Sequence, residues 1–309
     1  MNTIIEFKNV YKNFKSLNVL ENVNFTVNKH DIFGYIGPNG AGKTTTIRLI
    51  TGLLEATRGE ITVFGSSPNQ NHVRSKIGFC YDNDGLYPNL TAYENMFFWD
   101  IIYNNKNGRD NRIMKFLEMV GLENACKIKI SEFSRGMKKR LGLARAFIGL
   151  PELLILDEPM IGLDPEGQEN IKSIINKIKA HCTIFISSHN LNDIEELCNR
   201  VAILDHHILA QGYLKDILKN DNTLVKIQLN EHLEYEQLAG LKELGVSDIE
   251  ISDKNIQLNF VDKPDLNAIA GFLISRKISF KEIRTTSNNL KEKYLNLVGK
   301  EHMHNDKLS

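Results

Sequence analysis

The sequence lacks any apolar run long enough to cross a bilayer. A spanning helix takes on the order of 18 apolar residues, and the most apolar stretch, residues 141–156, is broken by Arg145, Pro151 and Glu152. The chain does not open on a basic start followed by an apolar run, so its N-terminus does not read as a secretory signal. Cysteine is sparse: Cys80, Cys126, Cys182 and Cys198 are far apart and form no CxxC pair. That excludes a disulfide framework or a cysteine-ligated zinc site and reads as reduced thiols in a cytoplasmic protein. Charge of one sign is not in excess, with 38 Lys plus Arg against 38 Asp plus Glu. Nucleic-acid binders usually carry a basic field, so nucleic acid is not the expected partner. Any membrane role must come through a partner.

What is present is a soluble-type composition with strong periodicity. Residues 3–8 and 19–27 alternate apolar and polar side chains, as strands do. Residues 31–36 form a short apolar run that ends in glycines, and a helical pattern follows over 43–54. Further buried strands are expected at 153–156 and 183–187, and helices at about 91–103, 109–120, 134–149, 166–180 and 190–198. Continuous apolar strands alternating with helices imply a largely parallel sheet covered on both faces. The character changes near residue 215, where residues 219–223 read as a polar linker. Beyond it the order is strand 224–229, helix 231–244, strands 248–252 and 256–260, helix 264–276 and strand 278–284. That βαββαβ order is the ferredoxin-like pattern. A last helix at about 288–298 follows. The expected division is therefore 1–218, with a helical subdomain at about 85–148, then a small α+β domain at 223–300 and a disordered tail at 301–309.

Residues 37–44, Gly-Pro-Asn-Gly-Ala-Gly-Lys-Thr, fit the phosphate-cradling pattern GxxxxGK[ST] between a predicted strand and a predicted helix. Gly37, Asn39, Gly40, Ala41, Gly42, Lys43, Thr44 and Thr45 are the expected nucleotide-binding residues. Glycines let successive backbone N–H groups curl around phosphate oxygens. Lys43 supplies a charge to the β- and γ-phosphates, and the Thr44 hydroxyl suits Mg²⁺. The following helix turns its positive end to the anion. ATP and Mg²⁺ are the implied cofactors of a P-loop NTPase. Downstream, an apolar strand ends in Asp157 and Glu158. The first carboxylate would hold the Mg²⁺ shell, and the second would orient or deprotonate the attacking water.

Other segments resemble one family. Phe133-Ser-Arg-Gly-Met137 precedes the carboxylate pair and resembles the LSGGQ signature of ATP-binding cassette (ABC) ATPases. Residues 161–164, Ile-Gly-Leu-Asp, look like the D-loop, and Ser187-Ser-His189 looks like the switch-histidine loop. Phe14 lies where the family places an aromatic that stacks on adenine. The resemblance covers residues 3–215 and is strongest to the subset serving bacterial exporters, whose short C-terminal extension the remainder also resembles. It implies an ATP-hydrolysing subunit that works with separate transmembrane permease subunits. Two cassettes, as a homodimer or paired subunits, would close head-to-tail around two ATP molecules. Ser134 and the Gly136 backbone of one would meet the γ-phosphate held by Lys43 of the other. His189 would also reach the γ-phosphate, Asp164 would bridge the subunits, and Glu158 would act on the water.

The departures are specific. Arg135 and Met137 replace a glycine and a glutamine of the signature. Asp82, within IGFCYDND, stands where the Q-loop glutamine is expected. A carboxylate there can ligate Mg²⁺ as a third metal ligand with Thr44 and Asp157; the alternative is a loop acid with no role. The aromatic helix TAYENMFFWDIIY reads most simply as the core of the helical subdomain, with a groove for a partner's helix as the functional alternative, and the two can hold on different faces. Lys138-Lys139-Arg140 reads as a solvated face. His206-His207 and His302-x-His304 have no partner ligands at metal spacing.

Overall fold

The computed structural model describes residues 2–15, 17–81, 85–104, 110–218, 223–231, 235–260, 264–286, 290–291, 293–295 and 297–298. Asp82 and the tail 301–309 lie outside the described residues. The chain divides into two compact units, Met1–Leu214 and Lys215–Ser309.

The first unit opens with β1 (Thr3–Phe14) and β2 (Leu17–Asn28), paired antiparallel. β3 (Ile32–Ile36) leads through the glycine loop into α1 (Lys43–Ile50). β4 (Arg58–Val63) returns beside β1 to complete an antiparallel sheet in the order β2-β1-β4. The short α2 (Asn71–Arg74) precedes β5 (Ile77–Cys80). A helical section follows, made of α3 (Ala92–Asn104), α4 (Asp110–Met119) and α5 (Arg135–Phe147). The chain then alternates through β6 (Leu153–Asp157), α6 (Pro165–Ile178), β7 (Thr183–Ser188), α7 (Leu191–Leu197), β8 (Arg200–Asp205) and β9 (His207–Tyr213).

The main sheet has the order β5-β6-β7-β3-β8-β9. All its pairings are parallel except β8 with β9. Every residue of β3, β6 and β7 is buried, which is why these strands read as unbroken apolar runs. The edge strand β9 is only half-buried and carries no such run, so the periodicity did not reveal it. Register puts Asp157 opposite Ser187 and Ile36 opposite Ser188. The carboxyl ends of β6, β7 and β3 therefore stand side by side. In open α/β sheets that is where ligands bind.

Aromatic rings join the two sheets. Phe25 of β2 lies 4.5 Å from Phe7 and 5.8 Å from Phe33, ring to ring, and Phe33 lies 5.8 Å from Phe185. Rings at such spacing add to the burial of their apolar area. The helix expected over 43–54 stops at Ile50, because Gly52 adopts φ 68° and a Cβ there would lie 2.5 Å from Pro68 O. Only glycine fits such a turn.

The solvated face expected at Lys138-Lys139-Arg140 is corrected. Lys139 is 2% exposed, and its Nζ donates to Tyr81 O. Arg140 Nη1 donates to the carbonyls of Val120 and Gly121. Both cations tie α5 to neighbouring turns. The aromatic helix α3 has two faces. Ala92, Met96, Asn95 and Asp100 are buried, while Phe97, Phe98, Ile101, Ile102 and Tyr103 are exposed.

A one-and-a-half-turn helix, α8 (Leu214–Leu218), spans the division between the units. The second unit contains β10 (Thr223–Leu229), a 3₁₀ helix (Tyr235–Leu244), β11 (Val246–Ser252), β12 (Asn255–Phe260), α9 (Leu266–Ser275) and β13 (Phe280–Thr286). Its sheet order is β11-β12-β10-β13, with every pairing antiparallel. Val225, Ile227, Ile256 and Leu258 pack with Leu238, Leu241, Ile269 and Leu273 in a separate core. The helix expected over 231–244 is 3₁₀ over its described part, and Gly240 within it lowers α-helical propensity. Residues 288, 289, 292 and 296 of the expected closing helix lie outside the described residues.

Candidate active site

The glycine loop hangs on the end of β3. Gly40 and Gly42 take φ of 89° and 104°, conformations that cost little only without a Cβ. A Cβ on Gly42 would also lie 2.6 Å from Leu20 Cδ2, and one on Gly37 would lie 2.5 Å from Leu204 O. Asn39, Gly40, Gly42, Lys43, Thr44 and Thr45 line an open cleft of about 350 Å³ together with Val19, Asp157, Glu158 and Ile161. Gly37 and Ala41 shape the loop from behind: Ala41 is buried, and Gly37 O accepts from Lys43 Nζ at 2.7 Å.

Lys43 is 7% exposed. Its Nζ also donates to Pro38 O at 3.2 Å and lies 3.6 Å from Glu158 Oε1. The ammonium thus sits in the mouth of the loop, held by carbonyls and one carboxylate.

Asp157 ends β6 and is largely buried. Its Oδ1 accepts from Ser187 Oγ at 2.5 Å across the β6–β7 register. Sequence reasoning assigned Ser187 no such role, because nothing local marks a serine as the partner of a carboxylate on the next strand. Glu158 follows in the left-handed region, φ 48°, unusual for a residue with a long side chain. Its N–H donates to Ser187 O at 3.1 Å. Its Oε2 lies 2.8 Å from His189 Nδ1. The Glu158 carboxylate therefore bridges the lysine of the glycine loop and the histidine after β7.

Among the described residues, no three His, Cys, Asp or Glu side chains gather as a metal cage. Thr44 and Asp157 share the cleft with Lys43, which fits a cation that keeps most of its waters and takes one or two protein oxygens besides phosphate.

The remaining residues singled out by sequence do not line this cleft. Ser134 caps α5, its Oγ accepting from Met137 N–H at 3.2 Å. Gly136 lies in the first turn of that helix. Asp164 caps α6 in its own chain, accepting from Gly167 N–H at 3.0 Å. Phe14 ends β1, 42% exposed, under the Lys12 ammonium at 4.9 Å.

Two cationic side chains carry structural duties that the sequence did not announce. Arg145 Nη2 donates to Phe79 O at 2.7 Å, its guanidinium lies 5.0 Å over the Trp99 ring, and a Cβ on Gly85 would lie 3.5 Å from it. Lys172 of α6 pairs with Glu169 on its own helix and joins α7 through Glu196 and Asp193. Burial works to lower its pKa, but hydrogen bonds to Glu196 and Glu169 and the charges of Glu196 and Asp193 outweigh it, so the pKa is raised. Burial holds the Asp193 carboxyl above its ordinary range despite Lys172. A single lysine facing three carboxylates cannot neutralise them all, so both directions are consistent.

The family model described as ABC transporter matches residues 20–161. The bacitracin transport ATP-binding protein BcrA of Bacillus licheniformis is 35% identical over 305 residues, covering 97% of this chain and 98% of the relative. The linearmycin resistance ATP-binding protein LnrL of Bacillus subtilis is 30% identical over 307 residues, covering 96% and 99%. Among solved structures, the dimeric post-hydrolysis cassette MJ0796 with ADP and Pi superposes with a TM-score of 0.63 at 26% identity, over 68% of this chain and 99% of that one. An ATP-binding subunit of an ABC transporter gives a TM-score of 0.63 at 32% identity, over 69% and 91%. No helix among the described residues is long and apolar enough to cross a membrane. The chain belongs to the ABC transporter ATP-binding proteins, a cassette subunit that binds and hydrolyses ATP to power transport through membrane-spanning partner subunits.

Proposed function

We propose that this cassette powers export of a membrane-active peptide or related antibiotic through its permease partners, from the inner face of the membrane. The observation that carries this reading is near-full-length similarity, second unit included, to proteins named for bacitracin transport and linearmycin resistance. A lantibiotic transport ATP-binding protein, SrtF of Streptococcus pyogenes, is 38% identical over 202 residues.

In this reading Lys43 exchanges its carbonyl partners for β- and γ-phosphate oxygens, and the loop N–H groups from Asn39 to Thr45 hold the rest. Thr44 and Asp157 hold Mg²⁺, with Asp82 as a further candidate ligand. Mg²⁺ supplies charge that offsets the build-up on the transferring phosphoryl group. Glu158, released from Lys43, takes a proton from the attacking water. His189 keeps Glu158 oriented at rest and turns to the γ-phosphate on closure. Ser134 and Gly136 serve the nucleotide of the opposing cassette, Asp164 bridges the two, and Phe14 stacks on adenine. The exposed aromatic face of α3 receives the permease. The boundaries follow the linker: a cassette over 1–218 and a ferredoxin-like domain over 223–300, for which the alternating buried positions and the β11-β12-β10-β13 order are the support.

Inverted vesicles from cells co-expressing the chain with its membrane subunit test the reading. ATP should drive bacitracin inward in wild-type vesicles and not in vesicles carrying Glu158→Gln. Equal uptake in both would reject it.

A further inference from the structure

Arg135 stands beside Ser134 and Gly136, in the turn where the family pattern has glycine. Its guanidinium lies against Gly162 and occupies the place a Cβ would need there. Gly162 has φ 70°. Arg135 belongs to α5 and Gly162 to the turn after β6, so this contact ties the helical section to the exit of the carboxylate strand.

That turn has its other side on the nucleotide. Glu158 and Ile161 line the 350 Å³ cleft. Glu158, Ile161 and Gly162 also wall an adjoining cavity of about 150 Å³ that reaches His189 and Asn190. Within the turn, Ile161 N–H donates to Glu158 O at 3.2 Å and Leu163 N–H to Met160 O at 3.3 Å, while its ends are held from outside by Glu158 N–H on Ser187 O and by Gln168 Nε2 on Leu163 O. It also carries the left-handed Glu158 at φ 48°. Ile161 and Gly162, at its middle, are exposed, the setting in which backbone opens locally. A planar, weakly hydrated guanidinium can cover a bare glycine peptide in a way that a compact ammonium cannot.

We propose that Arg135 is a positioning residue that clamps the turn over residues 158–164 and so fixes where Glu158 points. Ser134 and Gly136 sit on the same turn of chain as the clamp. The face offered to the opposing cassette and the base of the chain's own site are therefore one mechanical unit. The kinetic consequence rests on the proposed role of Glu158, whereas the clamp itself does not.

The test uses the full chain with R135G, R135K and, in parallel, E158Q. Amide hydrogen exchange is followed without nucleotide, and ATPase rates are taken against ATP concentration. R135G should raise exchange over residues 160–164 by roughly ten-fold, as expected for a local opening, with α5 and β6 unchanged. R135K should behave like R135G. The kcat of R135G should fall roughly ten-fold with KM for ATP unchanged, the split expected when transition-state geometry rather than binding is lost. Unchanged exchange in R135G, or wild-type exchange in R135K, overturns the clamp. Exchange rising throughout α5 overturns it too, since that is a folding defect. A rise in KM with kcat intact would assign Arg135 to phosphate contact instead and likewise overturns it. If exchange rises as expected while E158Q keeps full turnover, the clamp stands and the assignment of Glu158 as base falls.

Discussion

Replacing Glu158 by glutamine should tighten diphosphate binding while stopping turnover, and the first half of that outcome comes from the resting contact with Lys43. The pair is separated by 3.6 Å, with side-chain exposures of 8% and 17%. Unit charges at that distance attract by about 4–5 kcal/mol at an effective dielectric of 20 and by about 1 kcal/mol in bulk water. Burial places the pair between those limits, and the desolvation both ions suffer removes much of the gain. A net of about 1 kcal/mol is a reasonable figure for a partly buried pair, and it corresponds to about five-fold in a dissociation constant. Phosphate must win Lys43 from Glu158, so E158Q should bind Mg-ADP about five-fold more tightly than wild type. Mg-ADP is the right probe because it lacks the γ-phosphate through which two cassettes would close. Isothermal titration of both proteins reads the affinity directly. Turnover in the variant should drop by about 10²–10⁴-fold, the scale for a lost general base. Unchanged or weaker Mg-ADP binding would refute the competition for Lys43, and near-wild-type turnover would refute the assignment of the base.

Lys43→Ala removes the cation at the mouth of the loop and should abolish tight Mg-ATP binding in the same titration; unchanged affinity would remove the phosphate-loop assignment. Arg145→Ala loses a charge-assisted hydrogen bond to Phe79 O and the contact over Trp99, together about 3 kcal/mol, to be read from urea unfolding; a loss under about 1 kcal/mol would count against its bracing role. Lys172 is held above its ordinary pKa of 10.5, so the stability it contributes is complete below that pH and is lost as pH rises past it. The gap in melting temperature between wild type and Lys172→Met should therefore be widest near neutrality and narrow above pH 10.5; a gap that does not change with pH would contradict the link.

The sequence pointed to the glycine loop and the carboxylate pair more directly than to the fold around them. The glycine loop and the tandem carboxylates were legible because each chemical demand falls on consecutive residues: positive φ at Gly40 and Gly42, a cation at Lys43, two acids after a fully buried strand. The strands β3, β6 and β7 were legible for the same reason, since burial on both faces leaves an uninterrupted apolar run. By contrast β4 and β9 are partly exposed, so neither an apolar run nor clean alternation marked them. Ser187 under Asp157, Arg145 under Phe79 and Lys139 under Tyr81 are contacts across 30, 66 and 58 residues of chain. No local pattern encodes such separations. The aromatic helix shows a third case: its composition suited a core first and a docking groove second, and the structure buries one side of α3 and exposes the other.

The register of the main sheet sorts the site into parts that hold still and parts that can signal. Ile36, Asp157 and Ser188 end neighbouring strands whose spacing is set by backbone hydrogen bonds, about 4.8 Å from strand to strand. Nucleotide turnover cannot change those spacings without breaking the ladder. Whatever news of ATP reaches the permease must leave by backbone that is off the ladder. One such stretch adjoins the cleft, the turn from Glu158 to Asp164 against which Arg135 lies. Arg135 belongs to α5, so the helical section has its hand on that exit.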